Sequence, residues 1–285
     1  MGDELLFHTI HRLKAAGVEH PRLEAQILLS KLLAISRTKA AAGLIPPLSE
    51  KNRFELENLI QRRTLRCPLP YLIGESEFYS LSFTVTRETL IPRPETELLV
   101  DWGLGVIKER GKVMAADVGT GSGCIITSLL VNAPEAQGLA IDISLTSLLV
   151  AMSNASRHGV KDRINFIQGD LLSQNAQEQF DLILSNPPYI PSLDIETLEP
   201  EVRVYEPRLA LDGGPDGLDF YRKLITQSLG ALRQGGWLGV EVGIEQANLV
   251  RDLFKSERFS NIEIHNDLGG IPRIVCAQRN DTSCA

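Results

Sequence analysis

The sequence predicts an α/β protein: a mostly parallel sheet with helices on both faces, preceded by a small helical domain and a β-hairpin linker. Apolar residues recur at helical spacing in the first ~75 residues, and residues 77–92 are rich in β-formers. From about residue 112 onward, short apolar strands alternate with helices, as in doubly wound sheets. The predicted domains are 1–75 (helical), 76–97 (hairpin and linker) and 98–285 (sheet).

In the first part, apolar residues from Leu5 to Leu13 predict a helix that Gly17 can end. Pro21 suits the first turn of a second helix, because its missing N–H has no helical partner there. Ser49 can cap a third helix through its side-chain oxygen. This segment is therefore expected to bury a small helical core.

A predicted helix from Pro94 to Val106 leads from the linker into the sheet domain. Its predicted strands are Val113–Val118, Gly138–Asp142, Ile164–Ile167, Asp181–Ser185, Trp237–Val242, Ile262–His265 and Ile274–Ala277. Its further predicted helices are Cys124–Val131, Leu145–His158 and Phe220–Arg233. Gly235 and Gly236 are expected to form the turn between the last of these helices and the next strand.

Charge and composition exclude several classes of protein. The formal net charge is -7, with a small basic excess in residues 1–80 and a large acidic excess in the remainder. A duplex-DNA binder normally presents a basic face, so stable nucleic-acid binding is not expected. No apolar run approaches the length of a membrane span, and the acidic N-terminus lacks the layout of a signal peptide. We expect a cytoplasmic protein without membrane association, and a monomer.

The cysteines do not form a metal-binding or disulfide pattern. Cys67, Cys124, Cys276 and Cys284 form no C-x-x-C pair, and no histidine clusters with them along the chain. We therefore expect no metal site and no disulfide framework.

A glycine-rich turn follows the first strand of the sheet. Its residues are Asp117, Val118, Gly119, Thr120, Gly121, Ser122 and Gly123. Glycines allow a tight turn and a close approach of backbone to a ligand. The G-x-G-x-G spacing differs from the dinucleotide pattern G-x-G-x-x-G. Together with Asp117, which lies two residues before the first glycine, this spacing indicates a turn that binds a nucleoside.

Two further acids end the next strands. Asp142 can accept both hydroxyls of a ribose, and Asp170, followed by Leu171, can accept the amino group of adenine. Each could instead be an ordinary helix-capping or turn residue. Because none of these acids suits a phosphate, the ligand indicated is an adenosine with few or no phosphates. S-adenosylmethionine fits, since Asp117 and nearby carboxylates can offset its sulfonium charge.

The residues Asn186, Pro187, Pro188 and Tyr189 follow a strand that is expected to be buried. Ligands of open α/β sheets bind at the carboxyl ends of strands. The two prolines stiffen this loop and remove two N–H donors. Such a loop can hold a planar amide or amine, although an ordinary strand-ending turn has the same composition.

These motifs together resemble the HemK/PrmC family, the peptide chain release factor N5-glutamine methyltransferases. The similarity extends over nearly the whole chain. It includes Pro21–Leu29, Pro68–Glu75, Leu90–Glu97, the glycine turn, Asn186–Tyr189, Tyr205–Leu211, Gly213–Gly217 and Gly269–Arg273. Leu171 stands where some relatives carry an aromatic residue, and Leu145-Thr146 replaces a frequent Pro-Glu.

The resemblance implies a Rossmann-like class I sheet that binds S-adenosylmethionine and releases S-adenosylhomocysteine. It implies methyl transfer to the side-chain amide of the glutamine in the Gly-Gly-Gln loop of class 1 release factors, with the helical domain recognising that protein. The Asn186–Tyr189 loop would be the catalytic loop, and Asn186 would also contact the cofactor. Asp117, the glycine turn, Asp142, Asp170 and Leu171 would bind the cofactor.

Three other functions share parts of these patterns. A nucleic-acid adenine-N6 or cytosine-N4 methyltransferase uses a similar loop on a flipped base, but the acidic charge disfavours it. A nicotinamide dehydrogenase is disfavoured by the glycine spacing. A non-catalytic adenosine-binding module would leave the Asn186–Tyr189 loop without a purpose.

Overall fold

A computed structural model describes residues 2–172 and 179–280. Its contacts group the chain into two compact units. One comprises Met1–Glu75 and Glu199–Tyr205, and the other comprises Ser76–Leu198 and Glu206–Ala285. The boundaries predicted from the sequence did not include the second segment of the helical unit.

The helical unit has a compact apolar core. Its helices are α1 (Gly2–Ala15), α2 (Pro21–Leu33), α3 (Arg37–Ala41), α4 (Glu50–Thr64), α5 (Leu69–Ile73) and, from the second segment, α9 (Pro200–Tyr205). Leu13, Leu28 and Ile60 are buried together at its centre. Ser49 caps α4 as predicted, since its Oγ accepts a hydrogen bond from the Asn52 N–H at 3.2 Å. The short helices α3, α5 and α9 were not predicted.

A buried ion-pair network fixes the segment 199–205 within the helical unit. The Arg63 guanidinium, in a residue only 5% exposed, donates to Glu24 Oε2 at 2.5 Å and to Glu201 Oε1 at 3.0 Å. Tyr205 Oη donates to the Leu65 carbonyl at 2.7 Å. A buried arginine needs such partners because an unpaired charge in the interior is costly. The chain segment that follows the Asn186–Tyr189 loop is thus tied to helix α4.

The second unit contains a seven-stranded sheet. Its strands are β3 (Met114–Val118), β4 (Gln137–Asp142), β5 (Ile164–Gln168), β6 (Phe180–Ser185), β7 (Leu232–Glu241), β8 (Ser260–Asn266) and β9 (Pro272–Gln278). Their order is β5-β4-β3-β6-β7-β9-β8. Strands β3 to β7 pair in parallel, and β9 pairs antiparallel with both of its neighbours. The mostly parallel sheet predicted from the alternation of elements is confirmed.

Helices cover both faces of this sheet because successive strand residues point to opposite sides. They are α6 (Glu97–Arg110), α7 (Cys124–Asn132), α8 (Leu145–Arg157), α10 (Asp219–Ala231) and α11 (Ala247–Ser256). Ala115 belongs to the core cluster that contains α6 and α7 residues, whereas Ala116 belongs to the cluster that contains α10 and α11 residues.

The predicted hairpin consists of β1 (Glu75–Phe78) and β2 (Leu81–Thr84). Tyr79 and Ser80 at its tip both have positive φ, at 52° and 58°. Positive φ at both central residues is the geometry of a tight two-residue hairpin turn. Asn154 of α8 accepts from the Thr84 N–H at 2.8 Å, so the hairpin is fastened to the sheet unit.

The predicted turn at Gly235 and Gly236 is wrong. Helix α10 ends at Ala231, and β7 begins at Leu232, so both glycines lie within the strand. Leu232 pairs with Phe180, and the register shifts just after this pair. A Cβ on Gly236 would lie 3.1 Å from the Phe180 carbonyl oxygen. The glycine therefore permits a close backbone approach at an irregular point of the strand.

The structure brings together a His/Cys/Glu cluster that the sequence spacing did not suggest. Glu263 and His265 of β8 and Cys276 of β9 place one potential ligand atom each within 4.8 Å of the others. His265 Nε2 lies 3.1 Å from Glu263 Oε2. Burial raises the pKa of the Cys276 thiol, so it stays protonated and donates to the Glu263 carbonyl. Cys284 lies outside the described residues.

Every helix in the described part of the chain is too short or too polar to cross a lipid bilayer.

Candidate active site

The glycine turn and the Asn186–Tyr189 loop meet at one edge of the sheet. They follow β3 and β6, which are adjacent parallel strands in which Ala115 pairs with Leu182. The chain order reverses at this point, since β4 and β5 lie on one side of β3 and β6 lies on the other. Such switch points are where open α/β sheets bind ligands. The two loops line a common cavity of about 340 Å³, the size of a small-molecule site.

Most predicted site residues line this cavity. They are Gly119, Thr120, Gly121, Ser122, Asp142, Asp170, Leu171, Asn186 and Pro188. Four others lie outside the lining set. Asp117 and Gly123 are buried beneath the turn, Pro187 is buried in its loop, and Tyr189 faces Glu241.

Backbone hydrogen bonds hold the glycine turn against β4. The N–H groups of Gly119 and Thr120 both donate to the Ile141 carbonyl, at 2.8 and 2.9 Å. Gly121 has a φ of 55°, a left-handed conformation that glycine adopts without strain. Its N–H donates to Asp142 Oδ2 at 2.8 Å. The turn thus brings backbone and the Asp142 carboxylate to the same wall of the cavity.

Asp142 is positioned to accept further hydrogen bonds. Its Oδ1 accepts from the Ser144 N–H at 2.9 Å, and its Oδ2 accepts from Gly121. Each carboxylate oxygen can accept more than one hydrogen bond, so both oxygens can also serve ligand hydroxyls. Burial raises the pKa of Asp142, while these backbone N–H groups oppose that rise.

Asp117 is fully buried beneath the turn. Its Oδ2 accepts from Thr120 Oγ1 at 2.7 Å and from the Ile126 N–H at 3.3 Å, whereas its Oδ1 has no hydrogen-bond partner among the described residues. Burial raises its pKa to about 7, and the charge of Asp142 adds to this rise. A cation in the cavity would stabilise the ionised form of this carboxyl.

Asp170 and Leu171 lie at another part of the cavity wall. Asp170 is exposed, whereas Leu171 is buried and belongs to the core cluster beneath the sheet. Leu171 has a φ of 57°, which is uncommon for a residue with a side chain. The chain therefore turns sharply here, with a polar group and an apolar surface side by side on the lining.

A chain of hydrogen bonds fixes the Asn186 side chain. Asn186 Nδ2 donates to Thr96 Oγ1 at 3.0 Å, and Thr96 Oγ1 donates to Glu241 Oε2 at 2.5 Å. Tyr189 Oη makes a longer bond of 3.4 Å to Glu241 Oε1. Glu241 is 2% exposed, and burial raises its pKa to about 7. The two ends of the Asn186–Tyr189 loop are therefore joined through one buried carboxyl.

Segment 211–217 fixes the backbone of the loop. The Ile190 N–H donates to the Leu211 carbonyl at 3.0 Å, and the Gly213 N–H donates back to Ile190 at 2.9 Å. Gln246 Nε2 donates to the Tyr189 carbonyl at 2.9 Å. In the ranges 2–172 and 179–280, no hydrogen bond reaches the Pro187 carbonyl.

Several residues that line the cavity or lie beneath it were not predicted individually. Arg93 lines the cavity and donates a hydrogen bond of 2.6 Å to the buried Glu206. From the sequence, Arg93 belonged only to the segment Leu90–Glu97 that resembles the family. Glu241 had a detectable signal, since it is the one acid in the apolar run Trp237–Val242. An acid in a buried strand indicates a hydrogen-bonded or functional role.

The cavity fits an adenosine-type methyl donor. Asp142 offers a bidentate acceptor, Leu171 and Ile143 offer apolar surface, and the glycine turn allows close backbone approach. The Asp117 oxygen without a partner and the excess of carboxyl groups favour a cationic ligand over a phosphate.

Comparisons with known proteins agree with this geometry. The family model described as the PrmC N-terminal domain matches residues 4–74, and the Methyltransferase small domain matches residues 96–199. A release factor glutamine methyltransferase from Geobacter sulfurreducens is 42% identical over 91% of this chain and 90% of its own length. One from Moorella thermoacetica is 40% identical over 98% of both chains. The chain belongs to the release factor glutamine methyltransferase family.

Solved structures support the fold of this family member. A methyltransferase from Pyrococcus furiosus matches with a TM-score of 0.53 and 17% identity, over 72% of this chain and 91% of that one. The hMettl16 catalytic domain, solved with an RNA hairpin, matches with a TM-score of 0.59 and 18% identity, over 79% and 83%. At these identities, the likeness establishes the Rossmann-like methyltransferase fold alone. Membership in the family implies a methyl donor of the S-adenosylmethionine type.

The substitution Asp117→Asn should change how stability depends on pH. Because the folded pKa is about 7, the folded chain retains a proton on Asp117 that the unfolded chain loses near pH 4. The free energy of unfolding contributed by this carboxyl therefore falls as pH rises from about 4 to about 7, by on the order of 3 kcal/mol. Urea unfolding at about pH 5 and pH 8 should show a smaller fall for the variant. Asp162→Asn, at an exposed position, should follow the wild type. Parallel changes in the wild type and Asp117→Asn would contradict the assignment.

The substitution Gly213→Ala should destabilise the Asn186–Tyr189 loop. Its added Cβ would lie 2.8 Å from Tyr189 Cα and 2.9 Å from the Pro188 carbonyl oxygen, so the backbone must shift. We expect a loss of about 1–3 kcal/mol in the free energy of unfolding, measured by chemical denaturation. Gly105→Ala is the matched control: it lies in α6 with no atom within 4 Å of the added Cβ, and should gain roughly 0.5–1 kcal/mol. Equal effects of both substitutions would show that segment 211–217 does not restrain the loop.

Proposed function

We propose that this chain transfers a methyl group from S-adenosylmethionine to the side-chain amide nitrogen (N5) of the glutamine in the Gly-Gly-Gln loop of class 1 release factors. One observation carries the proposal: the glycine turn and the Asn186–Tyr189 loop line the same cavity. The names of the relatives, which are release factor glutamine methyltransferases, support the choice of substrate.

The cofactor would be held by residues of the glycine turn, Asp142, Asp170 and Leu171. Asp142 would accept the ribose hydroxyls, and Asp170 the amino group of adenine. Asp117 would act from beneath the turn, by its charge, because it does not line the cavity. When bound, S-adenosylmethionine supplies an electrophilic methyl group on a positively charged sulfur, and S-adenosylhomocysteine is the product.

The protein's catalytic task is to orient the glutamine nitrogen. An amide nitrogen is a poor nucleophile because its lone pair is delocalised into the carbonyl. Asn186 Oδ1 and the Pro187 carbonyl would each accept one N–H of this amide, which directs the lone pair toward the methyl group. Both acceptors also stabilise the positive charge that develops on the nitrogen. Positioning of this kind can supply several kcal/mol of the acceleration.

The loop is rigid enough for this task. The Asn186 amide is held by Thr96, and the backbone on its other side is held by Gly213 and Gln246. Pro188 lines the cavity, and Tyr189 packs against the core and bonds to Glu241. The role proposed for Tyr189 is therefore to support the loop. After methylation the nitrogen is far more acidic, and its proton can leave to water.

The helical unit would recognise the release factor. It matches the PrmC N-terminal domain, and its segment 199–205 is followed along the chain by Pro207 and Leu209, which line the cavity. Methylation of an intact release factor should depend on this unit more than methylation of a short glutamine peptide does. A monomeric state, a cytoplasmic location and the absence of stable nucleic-acid binding stay predictions.

The proposal is tested by a tritiated-methyl assay with a class 1 release factor and with DNA side by side. We expect label on the factor, at its Gly-Gly-Gln glutamine, and none on DNA. Asn186→Ala should lower kcat by about 100-fold or more, because positioning and charge stabilisation are lost, with the cofactor Kd changed less than about threefold. Asn132→Ala, outside the cavity, is the matched control. Label on DNA adenine or cytosine alone, or a near-normal rate for Asn186→Ala, would refute the proposed reaction.

A further inference from the structure

Glu241 is a buried acid that the proposed reaction has not yet used. It ends β7, is 2% exposed and does not line the cavity. A buried carboxyl is costly unless it is hydrogen-bonded, and its partners here are Thr96 and Tyr189. Tyr221 Oη adds a bond of 2.8 Å to the Glu241 carbonyl and so fixes the backbone at this point.

The hydrogen-bond chain determines which end of the Asn186 amide faces Thr96. A threonine hydroxyl has one proton to donate. When that proton goes to the ionised Glu241, Thr96 Oγ1 can only accept, so its other partner must be an N–H. Asn186 therefore turns Nδ2 toward Thr96, as the 3.0 Å bond shows, and its Oδ1 is the atom it can offer to a ligand.

We propose that Glu241 is a positioning residue: acting through Thr96, it holds the Asn186 amide in the orientation that presents Oδ1 to the substrate N–H. The inference rests on the proposed function and adds a residue to the same site. Asn186 touches the substrate, whereas Glu241 and Thr96 act only through Asn186.

Protonation of Glu241 allows the direction of the hydrogen bonds between Glu241, Thr96 and Asn186 to reverse. A protonated carboxyl can donate to Thr96 Oγ1, and Thr96 then donates its own proton to Asn186. The amide must then turn Oδ1 toward Thr96 and its NH₂ group toward the cavity, where it cannot accept an N–H. The hydrogen-bond network therefore enforces the productive orientation above the pKa of Glu241 and no longer enforces it as pH falls through that pKa. Burial raises this pKa to about 7.

Other charged groups around Glu241 modify this titration. Glu95 beside Thr96 raises the pKa of Glu241, and Arg273 of β9 lowers it. Tyr189 and Tyr221 face it from the loop and α10, and the Cys124 thiol faces it from α7. Asp117 titrates in the same range, so the pH dependence of the wild type alone does not identify Glu241. A variant that removes only the Glu241 titration is needed.

The first experiment interrupts the hydrogen bonds between Glu241 and Asn186 at Thr96. Thr96→Val removes the hydroxyl but keeps the branched shape, whereas Thr96→Ser keeps the hydroxyl. With a full-length release factor as substrate, we expect kcat to fall about 10- to 100-fold in Thr96→Val and to stay within about threefold in Thr96→Ser. The KM for the cofactor should change little in either variant. In an Asn186→Ala background, Thr96→Val should cause no further loss, because its effect passes through Asn186.

The second experiment removes the Glu241 charge with Glu241→Gln. In the wild type, kcat should fall at low pH as Glu241 becomes protonated. In Glu241→Gln this fall should disappear or move to another pH, since the amide of glutamine does not titrate. The side-chain NH₂ resonances of Asn186, assigned by their absence in Asn186→Ala, should shift with pH in the wild type without substrate. They should not shift in Glu241→Gln. Chemical denaturation of each variant confirms that it is folded.

The outcomes separate this inference from the proposed function. The positioning role alone is overturned if the wild type is active but shows the same pH dependence of kcat, and of the Asn186 resonances, as Glu241→Gln. An additive loss for Thr96→Val in the Asn186→Ala background also overturns it, because the effect would then be structural. A wild type that methylates no release factor overturns the proposed function, and the inference that rests on it, even if the Asn186 resonances titrate as expected.

Discussion

The adjacency of β3 and β6 is the constraint on which the site depends. Neighbouring parallel strands end at the same edge of a sheet, so the loops that follow them must meet. The glycine turn follows β3, and the Asn186–Tyr189 loop follows β6, with Asp117 paired to Leu184 across the two strands. Two loops that are distant in sequence thus line one cavity.

Buried carboxyl groups in the cavity wall and beneath it hold the surrounding loops in place at a cost in stability. Asp142 binds the glycine turn, and Glu241 binds Thr96 and Tyr189. Burial raises the pKa of both, so each carboxyl is less stable in its ionised form than it would be in water. Perturbed acids of this kind cluster at functional sites, where orientation matters more than stability. The same carboxyls make the cavity suited to a cationic methyl donor rather than to a phosphate.

The fold followed from local patterns, and the site only in part. Alternating apolar strands and helices predicted the sheet, because buried parallel strands need a continuous apolar run. The start of β7 was missed, since glycines signal turns unless a tertiary contact, here with Phe180, requires a small residue. Motifs predicted Asn186 and Asp142, and both residues line the cavity. The Thr96–Glu241 link joins residues 145 positions apart, a distance no local pattern encodes.

The central claim is that Asn186 and Pro187 bind the amide of the substrate glutamine in the cavity that also binds the methyl donor. A crystal structure of the chain with S-adenosylhomocysteine and a glutamine-bearing peptide from a release factor loop tests it most directly. We expect the glutamine nitrogen about 3 Å from both Asn186 Oδ1 and the Pro187 carbonyl oxygen, with Nδ2 still on Thr96. A glutamine amide bound elsewhere, or one that meets Asn186 Nδ2 instead of Oδ1, would contradict the claim.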